Sequence, residues 1–587
     1  MKPRKYQIEC HDAILAHWGI APYHDGESDV FRSVVANLAT SAGKTIIAAM
    51  IIKTVVDLGK RCLFVADTDE LCAQPVKKLH SAVGIFASVE KAQDRASLSA
   101  DVVVASLQSM RRESRLMRYP SNHFDFIFID EAHRQCDAAK VITDYFPAAK
   151  VCGMTATAFR SKLADLSKWY ECVAYEKQTF DLIGEGYLPP ITVQTLDLKV
   201  DLDEVKVGTT ADGRDYQSDS LASVIEPHLR AVAQVIKEKA SSRQILAFLP
   251  LIATSKMFVD ICQQEGLSAK HCDGTSDDRE EILAGFERKD FQILANSQLF
   301  STGVDFQSCD CLLNLRPTKS VGLFRQMVGR ILRPLPGTID GIECPEERKR
   351  AIAASAKPDS LILDLLYNAK MGLVGPASLI VDETDSEAVT KRVREAKSPE
   401  ELFDIASDVR RQREEALREE LEKRVNLEKK WTGLMPAELV AVWLHVDYAP
   451  AFPWERGTVK DETKVRLEKA GINPNSVENE GQALALLEAC WKRQKAGKLS
   501  IHAFRPLRNL GVADPSEMAL DDAIRLLKDG FPMTFGKWAG TPLRDINKGY
   551  WSFIWHKTDK DWIQRNHPAV YRYLKNVVYA PKKELAS

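Results

Sequence analysis

Between about residues 30 and 155 the chain alternates short β-branched apolar runs with amphipathic stretches. Val34-Val35-Ala36, Cys62-Leu63-Phe64-Val65, Val102-Val103-Val104 and Phe126-Ile127-Phe128-Ile129 carry no polar interruption, the pattern of strands buried on both faces. Each gives way to a polar loop and then to helical spacing. This predicts a parallel α/β sheet with ligand loops at the strand C-termini. The pattern restarts after Gly-Tyr-Leu-Pro-Pro at 186–190, with strands at Gln244–Leu249, near Phe291–Ala295 and at Leu361–Leu365, and predicts a second α/β lobe. The polar, Asp-rich segment between Pro190 and Ser241 reads as a strand followed by a helix.

From about Asp382 to Trp431 the composition shifts to Arg, Glu, Lys, Ala and Leu with almost no Gly. Such a stretch forms one or two long exposed helices, either a spacer with charge-paired faces or a nucleic-acid arm. A weak internal repeat follows: Arg466-Leu467-Glu468-Lys469-Ala470-Gly471-Ile472 aligns with Pro506-Leu507-Arg508-Asn509-Leu510-Gly511-Val512, and Ala483, Leu484 and Leu487 align with Ala523, Ile524 and Leu527. Each copy reads as helix, Gly stop, Asn-Pro or Asp-Pro turn and second helix, and two copies suit a compact helical module better than a solenoid. From Phe531 the chain is rich in Trp, Tyr, Lys and Gly, which predicts a separate small domain. The domains are thus 1–188, 189–380, a charged helical spacer at 381–431, the repeat module at 432–530 and the aromatic-rich domain at 531–587.

The 587 residues exceed one hydrophobic core and suit roughly three to five units. With 45% hydrophobic and 28% charged residues a wholly disordered chain is excluded. A formal net charge of -2 means that any grip on a polyanion must come from a local groove, not from the global field. The 12 cysteines show no Cys-x-x-Cys spacing, and Cys309 and Cys311 sit in an apolar strand-like stretch, so they read as reduced core thiols. The N-terminus lacks the apolar run of a signal peptide, and no stretch reaches the roughly 18 apolar residues of a membrane span. The expected location is the cytoplasm of a bacterial or phage-infected cell.

Leu38-Ala39-Thr40-Ser41-Ala42-Gly43-Lys44-Thr45 lies between the Val34 strand and an apolar helical run from Ile46. A strand, tight loop and helix N-terminus aim several backbone N–H groups and a positive dipole end at one point, which suits a phosphate cluster. Thr40, Ser41, Ala42 and Gly43 would line the phosphates, Lys44 would place its ammonium on the outer ones, and Thr45 its hydroxyl on Mg2+. Leu38 stands where the full consensus has its first Gly, and Ser41 where another Gly is usual, which reduces backbone freedom at Ser41. Phe126–Ile129 delivers Asp130-Glu131-Ala132-His133 to a strand C-terminus, where Asp130 would hold Mg2+ and Glu131 orient the attacking water. In Gln326-Met327-Val328-Gly329-Arg330-Ile331-Leu332-Arg333 the two Arg lie three apart, hence on one helical face, and can present two guanidiniums to a γ-phosphate; Gln326 joins them as a catalytic group. If the loop and the Arg pair belong to different lobes, the site exists only when the lobes close.

With these elements in order, residues 1 to 370 resemble the superfamily 2 helicases, which implies two tandem RecA-like lobes using ATP and Mg2+. Arg4-Lys5-Tyr6-Gln7 resembles the adenine-reading element, assigning Arg4 and Gln7 to the nucleotide. Ala105-Ser106-Leu107-Gln108-Ser109 resembles a strand-gripping motif, and Thr155-Ala156-Thr157 the coupling motif, with His133 joining Thr155 and Thr157 in that role. In Ser301-Thr302-Gly303-Val304-Asp305 the resemblance assigns Thr302 to nucleic-acid phosphate and Asp305 to nucleotide. Thr68, Ser106, Gln108 and Thr302 are the expected nucleic-acid track, contacting backbone and not sequence. Leu38-Ala39-Thr40, Thr157-Ala158-Phe159-Arg160, Leu315-Arg316-Pro317-Thr318 and Leu361-Ile362-Leu363-Asp364 are most similar to the RadD-like group and phage DNA helicases, themselves related to restriction motor subunits; the zinc-type cysteine clusters of RadD are missing. Phe535-Gly536-Lys537-Trp538-Ala539-Gly540 with Tyr550 and Trp555 resembles a small domain attached to phage helicases and nucleases. Its aromatics could stack bases or form a Trp-rich mini-core. The resemblance implies a DNA helicase or translocase in replication, recombination or repair, with forked or single-stranded DNA as partner; an RNA helicase and a motor or scaffold subunit of a restriction or phage-defence complex, bound to a protein partner through the C-terminal modules, stay open.

Overall fold

The computed structural model describes residues 3–578 except 25, 27–28, 135, 157–163, 203–204, 211–212, 275, 277, 298–305, 369–373, 375, 382, 396–399, 428–433, 505–506, 508–511, 513–514, 521, 524–525, 527–532, 534–535, 540 and 575–577. Thr157, Thr302 and Asp305 lie outside the described residues.

Seven parallel strands form the first sheet: β1 (Ser33–Leu38), β2 (Cys62–Ala66), β3 (Ser88–Glu90), β4 (Val102–Ser106), β5 (Phe126–Ile129), β6 (Lys150–Thr155) and β7 (Cys172–Lys177), in the order β3-β4-β2-β5-β6-β1-β7. The four continuous apolar runs of the sequence are β1, β2, β4 and β5, and every residue of those strands is buried. Because β6 lies between β1 and β5, the loops leaving β1 and β5 stand two strand spacings apart, about 10 Å. One nucleotide terminus fits between them. The helix Lys44–Asp57 follows β1 and buries Ile47, Ala48, Ile51, Ile52 and Val55 at helical spacing against the sheet.

The second sheet contains β8 (Ile191–Asp201), β11 (Ile245–Phe248), β12 (Ala269–His271), β13 (Ile293–Asn296), β14 (Cys311–Asn314), β15 (Ser360–Asn368) and β16 (Glu400–Glu401), ordered β12-β13-β11-β14-β15-β8-β16. All are parallel except β16, which runs antiparallel to β8. Between β8 and β11 the chain makes the hairpin β9 (Val207–Thr210) and β10 (Gly213–Tyr216), then two helices, Ser218–Ile225 and Leu229–Lys239. The hairpin goes beyond the expected strand and helix. Its Asp215 is buried and accepts hydrogen bonds from Thr318 Oγ1 at 2.7 Å and Lys319 N at 2.9 Å, anchoring the loop before the helix Val321–Gly329. Both lobes are therefore parallel-sheet α/β domains of the RecA-like kind.

The chain divides into two compact units, Met1–Arg411 and Gln412–Ser587. The reading of 381–431 as an exposed spacer is corrected over its first half. Val389, Leu402, Ile405 and Ala406 are buried in the core of the first unit, β16 extends its second sheet, and Phe403 stacks on Phe180 with ring centroids 4.6 Å apart. An apolar stripe at 402, 405, 406 and 409 runs through an otherwise charged helix, and average composition hides such a stripe.

In the second unit the helices Ala437–Trp443, Asp461–Ala470 and Glu480–Lys495 surround one core. The repeat is visible at its described positions. Leu467 and Leu507 are both buried, as are Ile472 and Val512, and Ala483 and Ala523. The same backbone bond closes each copy: Ile472 N donates to Leu467 O at 2.9 Å, and Val512 N to Leu507 O at 3.0 Å. Met533, Leu543, Ile546, Trp551, Ile554, Ile563, Val570, Tyr573 and Leu574 form a separate small core beyond it. Among the described residues no helix is long and apolar enough to cross a membrane.

Candidate active site

The loop after β1 turns through two left-handed residues, Ser41 at φ 73° and Gly43 at φ 80°. Glycine adopts this conformation freely, but a Cβ there costs about 1 kcal/mol. Ser41 thus takes the conformation of the glycine usual at its position. Its hydroxyl gains a partner in the other lobe, donating to Gly329 O at 2.5 Å. Gly329 ends the helix Val321–Gly329, and a Cβ added there would fall 2.0 Å from Thr40 Cγ2. The two lobes therefore meet at the phosphate loop, backbone against side chain. We expect Gly329→Ala to hold them apart and to lower turnover about a hundredfold while ATP still binds the first lobe, measured as kcat against nucleotide Kd.

From below, Tyr6 Oη donates to Ala42 O at 2.8 Å and Gln7 Nε2 to the same oxygen at 3.3 Å. Gln7 Oε1 accepts from Arg4 N at 3.0 Å, and Gln7 Nε2 lies 2.8 Å from where a Cβ on Gly43 would be. Gln7 thus packs against the loop that its expected ligand would touch, whereas the Arg4 guanidinium donates to Tyr187 O at 3.5 Å. Lys44 and Thr45 open the helix Lys44–Asp57 and are half-buried.

Lys44 Nζ lies 3.6 Å from Glu131 Oε1. Glu131 has φ 46°, a strained conformation for a residue with a side chain, as is common at active sites. Burial raises the Glu131 carboxyl, but Lys44, then His133 and Arg134, outweigh it and hold it below the usual carboxylate range. Asp130 goes the other way, pushed up to about 6 by burial and then by the charge of Glu131. A buried acid whose anion is disfavoured fits a cation site, since a divalent ion would restore its charge. Among the described residues, two buried oxygens beside the loop, Thr40 Oγ1 and Glu131 Oε2, have no hydrogen-bond partner. Neighbouring polar atoms of a nucleotide and its water would satisfy them. His133 Nδ1 lies 2.9 Å from Thr155 Oγ1 and 3.5 Å from Glu131 Oε2, so two of the three residues assigned to coupling are joined to each other and to the acid pair.

The two arginines do not share a helical face. The helix stops at Gly329 with Arg330 as its cap, and Arg333 lies beyond it in irregular chain. Their surroundings differ: Arg330 interacts electrostatically with Glu131, whereas Arg333 interacts with Arg4 and Tyr6. Burial lowers both guanidiniums, Arg333 to about 10. Gln326 is half-buried on the same helix.

The expected nucleic-acid track needs one correction. Ser106 is buried: its hydroxyl accepts from Ser109 N at 3.3 Å, capping the short helix Leu107–Met110, and donates to Asp69. It shapes the motif and cannot touch a ligand. Gln108 is exposed on that helix, while Thr68 Oγ1 is buried without a hydrogen-bond partner among the described residues. Gln108→Ala is expected to raise the DNA concentration that half-saturates ATPase stimulation severalfold. Ser106→Ala should instead lower the melting temperature, by losing a cap worth about 1 kcal/mol.

Two arginines escaped the sequence reading. Arg325 is buried and bridges the lobes, donating to Ala156 O at 3.4 Å and Ser378 O at 2.6 Å. Its place beside Gln326 was the available signal. Arg348 pins the crossing between the lobes, donating to Glu185 O at 2.9 and 2.6 Å, to Ile342 O at 3.0 Å and to Glu343 O at 2.8 Å. Its guanidinium lies 3.9 Å over the Tyr187 ring. No local pattern marks it, because its partners are backbone carbonyls.

A phosphate loop and acid pair on one RecA-like lobe, facing an arginine-bearing helix of a second, define a two-lobed nucleotide-site protein. The type III restriction enzyme res subunit family matches residues 1–160, and the helicase conserved C-terminal domain matches residues 227–334. The chain is 28% identical over 354 residues to irc3 of Schizosaccharomyces pombe (strain 972 / ATCC 24843), provisionally named a mitochondrial ATP-dependent helicase, covering 58% of this chain and 56% of that protein. It is 25% identical over 369 residues to the type I restriction enzyme EcoAI endonuclease subunit of Escherichia coli, covering 56% and 44%. The chain spans about half the length of the curated relatives it matches. Among solved structures, the ATP-dependent type ISP restriction-modification enzyme LlaBIII bound to DNA aligns with a TM-score of 0.46 at 14% identity, over 98% of this chain and 41% of that one. Over residues 1–160 and 227–334 the chain is thus similar to the motor domains of superfamily 2 helicases, including the res subunits of type III restriction enzymes.

Proposed function

We propose that the chain is an ATP-dependent DNA helicase or translocase that remodels DNA in replication, recombination or repair. The observation that carries this reading is the lobe contact at the phosphate loop, Ser41 Oγ on Gly329 O, with Arg330 of one lobe interacting electrostatically with Glu131, the ion partner of Lys44, in the other. In this reading Lys44 and the loop N–H groups hold the outer phosphates of ATP. Asp130 and Thr45 hold Mg2+, which supplies charge neutralisation at the phosphates when bound. Glu131 orients the attacking water, and Arg330 stabilises charge developing on the transferred phosphoryl group. The Lys44–Glu131 pair fits this division, since the ammonium can leave the carboxylate for phosphate and so free Glu131 for water. Arg325 on Ala156 joins the lobe that closes to the end of β6, whose Thr155 meets His133 beside the acid pair, a route by which phosphate chemistry moves the lobes.

The test is ATPase rate on a panel of fork, Holliday junction, single-stranded DNA and single-stranded RNA at matched salt, with Lys44→Ala as the inactive control. DNA stimulation above that of RNA supports the reading. Equal rates with and without DNA sink it, and stronger stimulation by RNA replaces it with an RNA helicase. The match to a restriction res subunit and the likeness to a restriction endonuclease subunit favour a second reading, a motor subunit of a restriction or defence complex. Co-purification of the second unit with a nuclease partner would select it.

A further inference from the structure

We propose that the small C-terminal domain is a second nucleic-acid site, a stacking platform for single-stranded DNA on the outer face of the helix Lys548–Lys557. This goes beyond the motor reading and rests on it only for the class of ligand. The helix turns Trp551 and Ile554 into the domain core. Tyr550, Phe553 and Lys557, spaced i, i+3 and i+7, form the adjoining stripe, in which Tyr550 is half-buried against the core and Phe553 and Lys557 are exposed. Phe553 is 57% exposed, an unusual position for a phenylalanine on a helix that already has an apolar inner face. The Tyr550 and Phe553 rings are stacked, with centroids 6.2 Å apart and planes 21° apart, and Trp538 continues the row 6.2 Å from Tyr550. Gly536, at φ 73°, brings the Lys537–Trp538 turn against this row, since a Cβ there would lie 2.4 Å from Tyr550 Oη. Lys537 Nζ then sits 5.9 Å from the Trp538 ring and 5.6 Å from the Tyr550 ring.

Flat π faces in a row with ammonium groups beside them match a ligand made of flat rings joined by phosphates. The charge of the domain points the same way. Residues 531–587 hold ten Lys and Arg against four Asp and Glu, a formal +6 in a chain whose total is -2. The acids of the domain's described part, Asp545, Asp559 and Asp561, lie before the helix and after it. A polyanion is thus drawn to this domain against the balance of the chain.

The experiment uses the full chain and a fluorescent oligo-dT, read by anisotropy without nucleotide, with ATPase followed as oligo-dT is raised. Phe553→Ala is expected to weaken binding about tenfold and to raise the half-saturating DNA concentration by a similar factor, leaving DNA-free ATPase and the rate at saturating DNA unchanged. Phe553→Trp should restore affinity. Lys557→Gln should make the dependence of log K on log salt shallower by about 0.7. Wild-type affinity and salt slope in Phe553→Ala and Lys557→Gln would overturn the proposal. So would loss of binding to phosphatidylserine vesicles in Phe553→Ala with oligo-dT binding intact. Phe553-dependent binding without any DNA stimulation of ATPase would uphold this site and refute the DNA motor; stimulation with no Phe553 dependence would do the reverse.

Discussion

Glu131→Gln is expected to lower ATP turnover about a thousandfold while leaving ATP affinity the same or tighter. The isosteric amide keeps the volume but loses the charge that orients and polarises water. Among the described residues Glu131 Oε2 is a buried oxygen without a hydrogen-bond partner, and Oε1 is the ion partner of Lys44 at 3.6 Å. Removing the charge frees the ammonium for phosphate, so binding does not suffer. Phosphate release under saturating ATP gives kcat, and a fluorescent ATP analogue gives Kd. The variant should also accumulate in the ATP-bound, DNA-bound form. Wild-type turnover would refute the assignment of the acid pair.

Arg330→Ala and Arg333→Ala should fail in different ways. Arg330 faces Glu131 electrostatically, so its loss should lower kcat by about three orders of magnitude with little change in KM for ATP. Lysine should not rescue it, because an ammonium cannot reproduce the planar fork of donors. Arg333 stands among Arg4 and Tyr6, the element that packs beneath the phosphate loop, so its loss should appear mainly as a KM for ATP raised about tenfold. Steady-state kinetics on the two variants with saturating DNA separates the outcomes. Identical kcat losses with unchanged KM in both would show that the arginines act together after all.

Much of the first lobe is legible in one sequence because its strands are short apolar runs with nothing else to become. β1, β2, β4 and β5 are buried on both faces, so pattern and burial coincide. The hairpin at 207–216 was not legible, since its stability comes from Asp215 bonding to Thr318 and Lys319, about a hundred residues away in sequence. Helical spacing misled at Arg330 and Arg333 for a related reason. The helix ends at Gly329, on which Thr40 and Ser41 of the other lobe press, and Arg333 precedes Pro334, a position biased away from the helix. Ser106 misled because an exposed ligand hydroxyl and a buried helix cap are the same letter in the same turn.

By itself, the sequence determined the two α/β lobes, the order of the phosphate loop, acid pair and arginines along the chain, and the residue types gathered at each. These follow from local periodicity and from the chemistry of single side chains. The tertiary structure alone decided which arginine faces which partner, that Ser41 accepts a glycine's conformation in exchange for a bond to Gly329, that Arg325 and Arg348 tie the lobes together, and that 383–411 joins the first core. Each of these depends on groups distant in sequence meeting in a closed interface, and a one-dimensional pattern has no term for that.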